Sequence, residues 1–132
     1  MQAPAFTEIT LDQLAGKLSS YKEDGWRFAN LCGTTAGNMV EILISFTLDE
    51  KIDNLLLFVE KGVKVPAVSK IFPSAFLYEN ETFDLYGVKF DGTILDFDGR
   101  FYITSVPTPM NPHSLAAEEY LASSSDEEAN NG

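Results

Sequence analysis

The chain has 132 residues, 45% of them hydrophobic and 12% aromatic, with a formal net charge of −11. That length supports one domain with a single core. The charge opposes binding to phosphate backbones or to anionic lipid and favours a basic protein surface as partner. A single cysteine, Cys32, excludes an intrachain disulfide. It equally excludes an iron–sulfur cluster or multi-cysteine zinc site held by this chain alone, and it points to the reducing cytoplasm.

The opening, MQAPAFTEIT, has no basic n-region and no apolar h-region, so no signal peptide is expected. Thr10 and Gln13 have the spacing of a capping box, and Leu11, Leu14, Leu18 and Tyr21 follow on one face, predicting a helix over about residues 11–21. Asp24 and Gly25 end it. Residues 26–34 (WRFANLCGT) predict a first strand, weakened by Gly33. Residues 35–38 are turn chemistry. In residues 39–47, Val40, Ile42, Ile44 and Phe46 alternate with Glu41, Ser45 and Thr47, the period of a half-buried strand. Residues 48–51 turn the chain again, and 52–59 form a third strand. Its run Leu55, Leu56, Leu57, Phe58, Val59 is the longest unbroken apolar stretch in the sequence, far short of a membrane span. Being apolar on both faces, the strand is expected to be central and covered on both sides. Short connections make the three strands an antiparallel meander. With helices on one face, the predicted class is an α+β two-layer domain.

Pro73 and Ser74 stand where a second helix would start, and Gly87 where it would stop. Val88, Lys89 and Phe90 fit a short strand, Asp91-Gly92 and Asp98-Gly99 are turn pairs, and residues 101–104 fit an edge strand. From Val106 onward Pro107, Pro109 and Pro112 impose an extended path, with one short helix possible over 114–121. The expected organisation is a folded domain over 1–105, an extended Pro-rich arm with a short helix over 106–122, and a disordered acidic tail over 123–132.

Few residues offer chemistry. Cys32 reads as a small buried hydrophobe within a strand. His113 is the only histidine and lies in a loop, so neither a histidine metal site nor a Ser-His-Asp triad has its parts. Asp96, Asp98 and Gly99 form a turn without the spacing or closing glutamate of a calcium loop. The glycines fit neither a P-loop nor a dinucleotide fingerprint. What stands out is the acidic, aromatic stretch around Glu79, Glu81 and Asp84. On a helix advancing about 100° per residue, measured from Phe76, these carboxylates fall at about 300°, 140° and 80°. Phe83, Leu85, Tyr86 and the other large apolar side chains interleave with them, so the helix has no clean solvated face. At least one carboxylate is therefore expected inside a buried site or an interface. Four roles stay open: a helix-end cap, an ion pair with Lys70, Lys89 or Arg27, a contact to a partner chain, and acid/base chemistry. A divalent ion held by Glu81 and Asp84, in a stand-alone acidic metal-binding domain, is a further alternative.

Residues 65–92, VPAVSKIFPSAFLYENETFDLYGVKFDG, resemble the signature region of the respiratory complex I 30-kilodalton subunit family (the C subunit of NADH:quinone oxidoreductase). The same family includes small subunits of energy-converting nickel–iron (NiFe) hydrogenases, and the resemblance is greatest to the small D subunit of the Ech type. Val65-Pro66, Phe72-Pro73, Glu79, Glu81, Asp84, Leu85, Gly87, Phe90 and Gly92 match the family pattern. Asn80 stands where the family usually has arginine. After Gly92, where complex I members continue with His-Pro and then Leu-Arg-Arg, this chain has Thr93-Ile94-Leu95-Asp96. The chain also lacks the long C-terminal extension of complex I subunits.

The resemblance implies an α+β domain that carries no cofactor, catalytic residue or metal of its own. The implied role is a structural, docking subunit in the cytoplasmic arm of a membrane-bound, proton- or ion-translocating hydrogenase related to complex I. It would contact the large subunit (complex I 49-kilodalton-like) and neighbouring iron–sulfur subunits, with the NiFe centre and the iron–sulfur clusters in those partners. It would reach the membrane only through the complex and would bind no nucleic acid. The residues implied at the subunit interface are Phe72, Glu79, Glu81, Phe83, Asp84, Tyr86, Gly87 and Phe90. The alternative in the same family is a protein like the C subunit of the quinone-reducing complex.

Overall fold

The computed structural model describes residues 5–93. Strand β1 (Ala5–Glu8) leads into helix α1 (Leu11–Glu23), followed by strands β2 (Arg27–Ala36), β3 (Met39–Leu48) and β4 (Lys51–Val59). A second, small unit follows: β5 (Val65–Pro66), two 3-10 turns (Val68–Lys70 and Pro73–Ala75), helix α2 (Phe76–Tyr86) and β6 (Phe90–Asp91). The predicted edge strand at 101–104, the arm at 106–122, the acidic tail, His113 and the Asp98-Gly99 turn lie outside the described residues.

The antiparallel meander predicted from the sequence forms the centre of a four-stranded sheet in the order β1-β4-β3-β2. Both hairpins close through two residues, 37–38 and 49–50. Asp49 takes φ +53° in the second, a left-handed conformation that aspartate tolerates better than most residues. The strand β1 was not anticipated. It pairs parallel to β4, from Ala5 opposite Asp53 to Glu8 opposite Leu56, and turns the antiparallel meander into a mixed sheet. Ile9 extends the pairing, its N–H donating to the Leu56 carbonyl at 2.9 Å.

Alternation in β3 and β4 sorts the two faces of the sheet. Val40, Ile42, Ile44 and Phe46 point to the core with Leu55, Leu57 and Val59. Both helices cover that face. Helix α1 starts at the predicted capping box, where Gln13 Oε1 accepts the Thr10 N–H at 3.0 Å. It buries Leu14 and Leu18 completely, each worth about 1.5–3 kcal/mol of apolar transfer. At its end Tyr21 stacks on Phe46 with ring centroids 4.3 Å apart and donates its hydroxyl to Asp53 Oδ2 at 2.5 Å. Phe72, Phe28 and Tyr78 complete an aromatic seam between sheet and second unit, with Phe72 5.3 Å from Phe46 and Phe28 5.4 Å from Tyr78.

Strand β4 is central but not covered on both sides: Ile52 is 49% exposed and Phe58 41%. Its apolar run supplies side chains to two faces, and among the described residues both helices pack on the one that carries Leu55, Leu57 and Val59.

Candidate functional site

Helix α2 runs over Phe76–Tyr86, between the predicted start signal at Pro73-Ser74 and the predicted stop at Gly87. It begins straight after the 3-10 turn Pro73–Ala75 and ends at Gly87, whose φ of +77° closes the last turn through its N–H to the Phe83 carbonyl at 2.8 Å. A side chain would strain that left-handed position. The helix leans against the edge strand β2 where Gly33 lacks a side chain. A Cβ there would lie 2.9 Å from Tyr86 Cδ2, so the glycine permits the close approach of the Tyr86 ring.

The polarity of α2 is inverted. Its buried residues are Glu79, Asn80, Thr82 and Asp84. Its apolar side chains are less buried: Leu77 is 43% exposed, and Tyr78, Phe83, Leu85 and Tyr86 are half-buried, Tyr78 and Tyr86 against the core. Buried polar groups are tolerable only when hydrogen-bonded, and bonds within the chain meet that demand for Glu79, Asn80 and Thr82, while the buried Asp84 Oδ1 accepts no hydrogen bond among the described residues. Asn80 Nδ2 donates to the Phe76 carbonyl and Thr82 Oγ1 to the Tyr78 carbonyl, both at 2.8 Å and both one turn back along the helix.

Glu79, 1% exposed, is the centre of this polar seam. Its Oε2 accepts the Val68 N–H at 2.8 Å, and its Oε1 accepts the Thr93 hydroxyl at 2.7 Å. Val68 is the first residue of a 3-10 turn that has no side-chain cap of its own, so Glu79 caps it from a different element. Ser69 Oγ lies 3.3 Å from Thr93 Oγ1. Because the Thr93 proton is given to Glu79, the Ser69 hydroxyl donates in that contact. The result is a short relay, Ser69 to Thr93 to Glu79, in which each bond polarises the next. It ties together three segments distant in sequence: the turn after β5, α2, and the residues after β6. A cavity of about 10 Å³, the size of one water, lies beside it, lined by Glu79, Asn80, Phe83, Lys89, Phe90 and Thr93.

The sequence-predicted residues therefore separate into two sets. Phe72 and Phe90 are core residues at 4% and 2% exposure, and Glu79 and Asp84 are buried at 1% and 7%. Glu81, Phe83, Tyr86 and Gly87 are half-buried, Tyr86 against Gly33 of β2 and Phe83 at the cavity beside Glu79. Lys89 Nζ sits 5.0 Å from the Phe83 ring centroid, a cation–π contact. Glu81 acts electrostatically toward β2. Burial chiefly pushes the Tyr86 hydroxyl up from its ordinary pKa, with Cys32 and Glu81 adding to it. Burial likewise raises the Cys32 thiol, opposed by a hydrogen bond with Asn30 and reinforced by Glu41 and Glu81. Sequence reasoning missed the partners of Glu79. Val68 contributes only a backbone N–H, which no side-chain pattern announces. Thr93 was visible only as a departure from the family pattern. Among the described residues, no three His, Cys, Asp or Glu side chains converge as a metal site, and no helix is long and apolar enough to cross a membrane.

A mixed four-stranded sheet with both helices on one face, and a second helix clamped through a buried glutamate, defines a small α+β domain. Residues 8–96 match the family described as respiratory-chain NADH dehydrogenase, 30 Kd subunit, and the chain belongs to that family. The NADH-quinone oxidoreductase C subunit of Methylobacterium sp. (strain 4-46) is 31% identical over 105 residues, covering 69% of this chain and 48% of that protein. The corresponding C subunit of Phenylobacterium zucineum (strain HLK1) is 40% identical over 55 residues, 42% of this chain and 26% of that one. The chain thus spans half or less of the length of these curated relatives. A solved structure of the membrane-bound sulfane sulfur reductase, an archaeal respiratory membrane complex, contains a chain that shares the fold. The TM-score is 0.66 at 18% identity, covering 86% of this chain and 71% of that one.

Proposed function

We propose that this chain is a non-catalytic docking subunit of a membrane-bound, ion-translocating NiFe hydrogenase related to complex I, seated on the cytoplasmic side against the large subunit. The observation that carries the reading is the inverted polarity of α2. A helix that buries Glu79, Asn80, Thr82 and Asp84 while leaving Leu77 43% exposed and Leu85 half-buried keeps apolar surface for another protein. Glu81, half-buried beside that surface, is the carboxylate placed to meet a cationic or hydrogen-bonding group of the large subunit. Glu79 acts one step back, holding the helix and the segments on either side of it in the shape the partner meets. NiFe and iron–sulfur centres belong, in this reading, to the partner subunits.

Two departures from the family pattern favour the hydrogenase-type member. Asn80, in place of arginine, spends its amide on the Phe76 carbonyl of its own helix. Thr93, in place of the histidine of complex I members, spends its hydroxyl on Glu79. Neither is arranged to supply the basic contact that arginine and Leu-Arg-Arg would offer. The second reading, a protein like the C subunit of a quinone-reducing complex, is favoured by the names of the curated relatives. One experiment separates them. The tagged full chain is recovered from detergent-solubilised membranes of its source organism, and the co-purifying subunits, nickel content and activities are measured. A NiFe large subunit with stoichiometric nickel and hydrogen-dependent dye reduction is the expected result. Quinone-oxidoreductase subunits without nickel would establish the second reading, and a monomer in no membrane complex would refute both.

A further inference from the structure

The face of the sheet away from the helices carries a second apolar surface, distinct from α2. Strand register assembles it. Phe58 lies opposite Glu41, and Leu56 opposite Leu43, which in turn lies opposite Cys32. On the far side, β1 brings Glu8 beside Leu56 and Phe6 beside Asn54. Phe6 is 61% exposed and Phe58 41%, while Leu43, Leu56 and Cys32 are half-buried. Three of the five most exposed large hydrophobics among the described residues, Phe6, Ile52 and Phe58, lie on this one face.

The charge around the centre of this surface is acidic. The three rows through Phe58, Leu56 and Phe6 contain Glu8 and Glu41 and no lysine, arginine or histidine; Arg27 stands at the far end, opposite Thr47. That pattern selects the occupant. A second copy would set Glu8 and Glu41 against their own like charges in a chain of net charge −11. The rest of this chain, residues 94–132, has Arg100 as its only lysine or arginine and ends in an acidic cluster. An anionic membrane is repelled for the same reason.

We infer that the open sheet face around Leu56 and Phe58 docks a neighbouring subunit of the complex that presents apolar side chains fringed by lysine or arginine. The inference rests on the docking role proposed above and adds a second contact to it, on the opposite side of the domain from the buried core. Aliphatic and aromatic side chains of the partner fill the rows between β1 and β2, and its cations meet Glu8 and Glu41 at the rim, where they fix register and speed encounter.

The test uses the full-length tagged chain in its source organism, comparing wild type with Phe58→Lys and Phe6→Ser. Lysine at position 58 faces Glu41 across the strand pair, so the sheet keeps a favourable neighbour while the docking face gains a charge of the wrong sign. Recovery of this chain in the membrane complex, read by quantitative mass spectrometry against the other subunits, should fall about tenfold or more for Phe58→Lys and less for Phe6→Ser. The purified variants should melt like wild type. If Phe58→Lys does not melt cooperatively, Phe6→Ser, at the most exposed position, decides alone. Folded variants incorporated at the wild-type level would overturn the proposal. So would a concentration-dependent dimer of the isolated chain that Phe58→Lys abolishes without changing incorporation, since the face would then serve a second copy. Failure of the docking role looks different: wild type itself would be found in no complex, and both readings would fall together.

Discussion

Replacing Glu79 by alanine should be the most damaging single change in the α2 region, and its cost can be built up from the geometry. Glu79 is 1% exposed and holds two donors, the Val68 N–H at 2.8 Å and the Thr93 hydroxyl at 2.7 Å. Alanine leaves the Val68 N–H buried without its acceptor, at about 1–3 kcal/mol. The Thr93 hydroxyl suffers less, because it can turn toward Ser69 Oγ, 3.3 Å away. Loss of the CH2–carboxylate portion leaves unfilled volume worth about another 1–2 kcal/mol. The sum is about 3 kcal/mol, a large share of the stability of a small domain. Glutamine keeps one acceptor oxygen for Val68, and its amide can donate to Thr93, so Glu79→Gln should cost only the charge assistance, about 1–2 kcal/mol. Urea unfolding of the full chain, followed by far-ultraviolet circular dichroism and by the fluorescence of the single tryptophan, Trp26, measures both. A double-mutant cycle between Glu79→Ala and Thr93→Val should give a coupling of about 1 kcal/mol or more. Glu79→Ala within about 0.5 kcal/mol of wild type, or a coupling of zero, would refute the clamp.

The packing of α2 on β2 predicts that Gly33→Ala, whose Cβ would lie 2.9 Å from Tyr86 Cδ2, destabilises by about 1–3 kcal/mol, measurable by thermal melting; Gly33→Ala combined with Tyr86→Ala should recover part of the loss. Burial, and then the hydrogen bond to and charge of Asp53, hold the Tyr21 hydroxyl well above the usual tyrosine range. The stability it contributes is complete below the unfolded-state value of about 10 and is lost as pH rises past it. Denaturant midpoints from pH 8 to 11 should therefore fall at the alkaline end for wild type and fall less for Tyr21→Phe. Cys32, raised chiefly by burial with Glu41 and Glu81 adding to it, should react with iodoacetamide at pH 8 more slowly than a free thiol. Glu41→Gln or Glu81→Gln should speed the reaction, and unchanged rates in both would place those carboxylates elsewhere.

The parts of the fold that could be read in the sequence are those whose signals are local. Thr10 and Gln13 mark the start of α1, Gly87 marks the end of α2, and the two-residue turns with the alternation in β3 mark the meander. Each is fixed by residues within a few positions of one another. What escaped depends on distance. Strand β1 is four residues long, and three elements separate it from its pairing partner β4, so no period in the sequence betrays it. The apolar run of β4 states that both of its faces are greasy but not which of them the helices choose, and Phe58 proved to be on the open one. The helical wheel of α2 showed that its carboxylates lacked a solvated face. It did not show that the buried side would be the polar one, because that requires the turn at Val68 and the hydroxyl of Thr93 to arrive from outside the helix.

This closure of the polar face has a consequence for how the signature residues divide their work. A carboxylate whose two oxygens are occupied inside the chain has little left to offer a partner, so Glu79 and Thr93 govern the stability of the domain and affect assembly only through its shape. The side chains not consumed in this way include Leu77, Leu85 and Glu81, which are half-buried or exposed on the same helix. Changes there should leave the unfolding curve within about 0.5 kcal/mol of wild type and act on association instead. The two properties can thus be varied separately on one eleven-residue helix. Leu77→Asp, for example, should melt like wild type and still be lost from the membrane complex, whereas Thr93→Val should melt early and, at temperatures where it remains folded, assemble normally.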